Sequence, residues 1–62
     1  MAAAPMDMLR KCREVFARQA EAQRQAANDQ TLPDAFRGAA GTKAERNERL
    51  VAEIDATLRE WG

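Results

Sequence analysis

The amino-acid sequence predicts an all-α protein, a two-helix hairpin with an irregular connector that assembles as a homo-oligomeric helical bundle. Two long stretches repeat apolar residues at helical spacing and contain no internal glycine or proline. The segment between them holds Pro33, Gly38 and Gly41, which are typical of an interruption. Sixty-two residues allow one small domain, so residues 1–62 are predicted to form a single unit.

The first helix is predicted to span about residues 6–28. Pro5 suits the first turn of a helix, and a negative charge such as that of Asp7 is favourable near its N-terminus. Leu9, Cys12 and Phe16 follow the i, i+3, i+7 spacing of one helical face. In the second half of the helix, this face consists of alanine and glutamine instead of larger apolar residues, which predicts a thinly packed helix end.

The connector is predicted to comprise residues 29–42. Within it, the segment 33–37 fits one helical turn that begins with proline and ends at Gly38. Thr42 and Glu45 match the capping box, in which the two side chains satisfy the first backbone amides of a helix. The second helix is therefore expected at about residues 43–61.

The second helix carries the stronger apolar stripe. Leu50, Ile54, Leu58 and Trp61 recur at i, i+4, i+8 and i+11. Asn47 lies on the same line, one turn earlier. A polar residue at such a position either fixes the register of a helix interface or, near a helix start, is exposed.

Self-association is predicted because the chain has little with which to build a core. Half of its hydrophobic residues are alanines. Burying a larger side chain gains roughly 1.5–3 kcal/mol, whereas ordering each residue costs about 1.5 kcal/mol. Small domains usually add disulfides, a metal or a partner, and this sequence has one cysteine and no histidine. The predicted oligomer interface consists of Leu9, Cys12, Phe16, Leu50, Val51, Ile54, Leu58 and Trp61.

No constellation typical of an enzyme or a cofactor site is visible. Cys12 has no histidine to activate it and lies on the apolar stripe, which predicts a buried structural thiol. The ligands of a zinc site are missing. The segment around Gly38 and Gly41 lacks the lysine and the preceding strand that a phosphate-binding loop requires. The sequence therefore predicts a protein that is not an enzyme and uses neither metal nor cofactor.

Charge and hydropathy limit the partners and the location. Ten basic and ten acidic residues are interspersed, which argues against a binder of nucleic-acid backbone. No apolar run approaches the length of a membrane span, and the first five residues are too short for a signal peptide. A soluble protein in the cytoplasm of a bacterial host cell is expected.

Two features suggest binding functions, each with an ordinary alternative. Arg10, Lys11, Arg13 and Arg18 form the densest group of basic residues, which in a symmetric oligomer would line a groove for an anionic nucleotide. The alternative is helix-surface charge without a ligand. Trp61 either caps the partner helix or serves as an exposed anchor for another protein.

The alanine-, arginine- and glutamine-rich first helix, with its run Leu9–Phe16, and the closing run Leu50–Leu58 resemble short accessory proteins of bacteriophages and prophages. The resemblance implies a small protein that binds a component of the host. Our leading hypothesis is a non-enzymatic interaction protein, a phage-encoded inhibitor of a host defence protein. One alternative is an oligomer that sequesters an anionic nucleotide signal. Another is a small DNA-binding regulator, although the predicted connector is longer than the turn of a helix-turn-helix motif.

Overall fold

The computed structural model describes residues 5–61, which form two helices packed against each other. Helix α1 spans Pro5–Ala27 and helix α2 spans Asp34–Trp61. They run antiparallel, since Arg13 pairs with Asp55 near the open end of the hairpin. The molecule measures 48 × 21 × 11 Å, so the hairpin is a single layer of helices. The predicted all-α hairpin is confirmed. The first five residues were considered above as a possible signal peptide, and residues 1–4 of them lie outside the part of the chain that the structure describes.

The connector, residues 28–33, is shorter than predicted. Its backbone is fixed by the Asp29 carboxylate, which accepts hydrogen bonds from the Thr31 amide at 2.9 Å and from the Thr31 hydroxyl at 2.6 Å. The Pro33 carbonyl then accepts the first helical hydrogen bond, from the Arg37 amide at 3.0 Å. The turn foreseen at residues 33–37 is therefore the first turn of α2.

The predicted bounds 29–42 and 43–61 for the connector and the second helix were wrong. Helix α2 continues through Gly38 and Gly41, neither of which has a positive φ. The predicted helix cap is also absent, because the Thr42 hydroxyl donates to the Gly38 carbonyl at 3.1 Å inside the helix. Each glycine costs about 1 kcal/mol in a helix relative to alanine. Packing of this turn against α1 outweighs that cost, since Ala40 and Ala44 are buried there.

The interface between the helices follows heptad spacing on both sides. On each helix, the residues that face the other helix are buried or half-buried and recur at intervals of three and four. On α1 they are Leu9, Arg13, Phe16, Ala20, Gln23 and Ala27. On α2 they are Arg37, Ala40, Ala44, Asn47, Val51, Ile54 and Leu58. Among residues 6–61, whose burial the structure describes, the buried apolar side chains are all alanines: Ala20, Ala40 and Ala44.

Asn47 lies inside this interface. It is only 8% exposed, and its side-chain amide donates to Gln23 Oε1 at 2.8 Å. Of the two roles that the sequence left open for Asn47, the structure shows the interface position. Because a buried amide without a partner is costly, this bond favours the observed register of α1 on α2.

One edge of the hairpin, the salt-bridged edge, is held by two ion pairs between the helices. Arg13 pairs with Asp55, and Arg24 pairs with Glu48 at 2.7 Å. Hydrogen bonds from the two arginines hold the pKa of each carboxyl below its ordinary value. These contacts close one side of the interface and leave the opposite side free of cross-helix ion pairs between the described residues.

Candidate interaction surface

The opposite edge of the hairpin is a largely apolar face, interrupted by Gln19 on α1 and Lys43 on α2. On α1, a second heptad row runs one residue behind the row that packs on α2. It contains Met8, Cys12, Val15, Gln19, Ala22 and Ala26. Met8 is 65% exposed and Val15 51%. An apolar row of this length on a single-layer protein is typical of a surface that another helix covers.

Helix α2 supplies the other half of this face. Phe36, Lys43 and Leu50 follow one another at intervals of seven, and Trp61 continues the same side. Phe36 is 59% exposed and Trp61 75%. Residues from both rows line one groove, which shows that the two rows lie on the same side of the hairpin. The apolar face is defined here as Met8, Cys12, Val15, Ala22, Ala26, Phe36, Ala39, Leu50 and Trp61.

The groove lies at the connector end of the apolar face. It has a volume of about 260 Å³. Its walls are mostly methyl groups, with one aromatic ring and the stem of one lysine; they include Ala22, Ala26, Phe36, Ala39, Ala40 and Lys43. We call it the alanine groove. Small side chains on both helices leave this depression open, and its size and apolar lining suit one large side chain.

A second depression lies at the open end of the hairpin. It has a volume of about 230 Å³ and is lined by Met6, Leu9, Thr57 and Trp61. Trp61 therefore contributes to a depression shared with α1 of its own chain and still leaves most of its surface exposed. A side chain that is both this large and this exposed is a typical anchor for an interface.

The structure separates the residues that the sequence assigned to one oligomer interface. Leu9, Phe16, Val51 and Leu58 lie half-buried in the rows between the two helices of the hairpin. Leu50, also half-buried, is spaced toward the apolar face, whereas Ile54 belongs to the row of α2 that faces α1. Trp61 lies on that face.

Cys12 is exposed rather than buried in the chain. The predicted burial of this thiol is not found within the single chain, because α2 packs on the neighbouring row, which contains Leu9 and Phe16; its predicted place at an oligomer interface stays a prediction. The apolar face that carries Cys12 is left to solvent.

The basic residues proposed for an anionic ligand do not form one cluster. Arg13 lies on the salt-bridged edge, and Arg10 pairs with Asp7 on its own helix at 3.3 Å. Lys11 and Arg18 are exposed on the outer side of α1. Within the described residues, no group of three or more potential metal ligands is found.

The sequence contained a signal for the apolar face, but only in part. Met8 and Val15 extend the first stripe sideways, and that extension is the second heptad row. Phe36 and Ala39 fell inside the predicted connector, so their place on a helical face was not foreseen. The alanine groove depends on α1 and α2 together and has no local sequence pattern.

Comparisons with known proteins add no family to this description. No family model matches the chain, and no curated protein or solved structure is similar to it at a significant level. In the part of the chain that the structure describes, neither helix is long and apolar enough to cross a membrane.

Proposed function

We propose that this chain is a non-enzymatic interaction protein that works as a homo-oligomer, with the apolar face of one copy covered by a second copy. One observation supports this above all. Among the described residues, alanines alone form the buried apolar core, while Met8, Val15, Phe36 and Trp61 are exposed together. Folded proteins seldom leave their largest apolar side chains outside and their smallest inside unless a partner covers them.

The surface area of the chain fits the same proposal. A compact protein of 6.9 kDa is expected to expose about 4,000 Å². The chain exposes 4922 Å², an excess of roughly 900 Å². A standard protein interface buries about 800 Å² on each partner. The excess is of the same size as the area that one partner buries in a standard interface.

We further propose that the assembled protein binds a protein of its host cell, as an inhibitor of the kind that bacteriophages encode. The resemblance to phage accessory proteins supports this role. The sequence has no histidine to activate its single cysteine, which favours the non-enzymatic part of the proposal. A host protein recovered with a tagged chain must also bind the purified chain directly, and failure of that direct binding would count against the inhibitor role.

Solution mass tests the proposed assembly. Light scattering after size exclusion, across a wide range of chain concentration, is expected to give a multiple of 6.9 kDa. Val15→Glu places a charge on the apolar face and is expected to lower the mass to that of one chain. Ala52→Glu is the matched control, because Ala52 is exposed on the other side of α2. A wild-type chain that stays monomeric at millimolar concentration would rule the assembly out.

A further inference from the structure

We infer the arrangement of that assembly: two copies pack face to face and antiparallel, and Trp61 of each copy enters the alanine groove of the other. The inference rests on the proposed self-association and adds the geometry of the dimer to it. In this arrangement the two connectors lie at opposite ends. Helix α1 then packs on α1 of the second copy, and α2 packs on its α2. The four helices form one bundle.

The positions of Trp61 and the groove along the hairpin support this geometry. We call two residues level when they lie side by side on α1 and α2, at the same height along the hairpin. The numbers of such residues add to about 68, as for Arg13 with Asp55 and for Ala27 with Gly41. Residue 16 is therefore level with residue 52. Trp61 lies nine residues beyond this level, and Lys43, which lines the groove, lies nine residues before it. Each distance is roughly 14 Å at the helical rise. A two-fold axis across the hairpin at this level exchanges the two positions.

The charges on the outer side of α1 give the same axis independently. Next to the apolar face, exposed residues of alternating sign recur at intervals of four and three: Asp7, Lys11, Glu14, Arg18 and Glu21. The last four form no ion pair within the described chain.

When two α1 helices lie antiparallel about residue 16, the last four charges of this row meet their opposites, whereas Asp7 is level with the uncharged Gln25. Lys11 is then level with Glu21 of the second copy, and Glu14 with Arg18 of the second copy. A dimer with both connectors at the same end would instead place α1 on α2 and would lose this complementarity.

The alanine groove provides apolar walls, a hydrogen-bond acceptor and a cation, which together suit an indole side chain. Burying a tryptophan removes about 150–250 Å² from water, and the methyl walls of the groove suit its ring. Gln23 also lines the groove, and its side-chain oxygen accepts one hydrogen bond from Asn47, which leaves a second lone pair for the indole N–H. Lys43 lines the groove, and in the proposed dimer its ammonium would be placed to contact the face of the ring, where a cation is attracted.

Intrinsic fluorescence tests this arrangement directly. Trp61 is the only tryptophan and the chain has no tyrosine, so the emission reports on Trp61 alone. As the chain concentration rises, emission is expected to move to shorter wavelength and to become harder to quench with acrylamide. The midpoint of this change should coincide with that of the increase in mass.

A pair of variants localises the effect. Ala39→Arg fills the groove from an exposed helical position, and Ala52→Arg makes the same change on the other side of α2. Ala39→Arg is expected to leave Trp61 exposed and to weaken dimerisation by roughly a thousandfold, the loss of one typical hot-spot contact of about 2 kcal/mol at each of the two grooves. Ala52→Arg is expected to behave as wild type.

The possible results separate the two proposals. A wild-type dimer whose Trp61 emission stays that of an exposed indole, or an Ala39→Arg chain that dimerises like wild type, would overturn this arrangement and leave self-association standing. A wild-type chain that remains a monomer at every concentration would overturn both.

Discussion

Replacing Asn47 by alanine is expected to destabilise the protein more than any other removal of a single polar side chain on α2. The bond from its amide to Gln23 Oε1 is 2.8 Å long, and Asn47 is 8% exposed. The variant leaves the half-buried Gln23 amide without this partner. An unpaired buried polar group costs about 1–3 kcal/mol. For a domain of this size, 1 kcal/mol shifts the melting temperature by roughly 4–8 °C. A central value of about 2 kcal/mol therefore predicts a fall of roughly 8–16 °C.

The assay is urea and thermal unfolding followed by far-ultraviolet circular dichroism. All variants are compared at one chain concentration, because association contributes to apparent stability. The single variants Asn47→Ala and Gln23→Ala and the double variant complete a cycle, which is expected to give a coupling of about 1 kcal/mol. Gln25→Ala, at an exposed position of α1, is the control. A coupling near zero, or an Asn47→Ala variant as stable as the control, would refute the role of this bond in setting the register.

Three further predictions concern the helix interior, the ion pairs and the thiol. Gly38→Ala is expected to raise the unfolding free energy by about 0.5–1 kcal/mol, because a Cβ there meets no atom within 4 Å; an unchanged urea midpoint would contradict this. The pKa values of Asp55 and Glu48 are lowered in the folded chain from ordinary values of 3.8 and 4.5. The stability that these two ionised carboxylates confer should be complete above about pH 5 and should fall as the pH drops through the lowered pKa values. Asp55→Asn should flatten this part of a curve of unfolding free energy against pH. A curve identical to that of the wild type would show that the Arg13–Asp55 pair has no effect on stability. Cys12 is exposed in the single chain, so its reaction with a thiol reagent should slow as chains associate, whereas a rate independent of concentration would place it outside the interface.

The sequence predicted the first helix well, because its boundaries depend on local features. Proline at the start, an acidic residue in the first turn and an uninterrupted run of helix formers are all readable without a partner. The structure begins α1 at Pro5 and ends it at Ala27, within a residue of the expected bounds.

The start of the second helix was not predictable from the same local features. Gly38 and Gly41 favour an interruption, and Thr42 with Glu45 imitates a helix start. The opposite outcome depends on tertiary contacts. Ala40 is buried against α1, and a Cβ at Gly41 would be 3.7 Å from that of Ala27, an ordinary contact distance. Close packing along α1 therefore holds a segment helical that local propensity would leave open.

The candidate surface was predictable only as a set of apolar residues. Spacing places Leu50 and Val51 on one broad stripe and cannot say which of them faces the other helix of the same chain. That choice depends on the register of α1 on α2, which the Asn47–Gln23 bond and the two ion pairs favour. For the same reason, the pattern placed Cys12 on one stripe with Leu9 and Phe16 and could not show that it lies outside the contact between the two helices.

The small alanine core bears on how fast the protein is degraded in a cell. A hairpin closed by methyl groups opens at little cost, and an open helical segment is a substrate for proteases. If the chain associates as proposed, copies without a partner should be degraded faster than paired copies, and abundance should rise more steeply than the rate of synthesis.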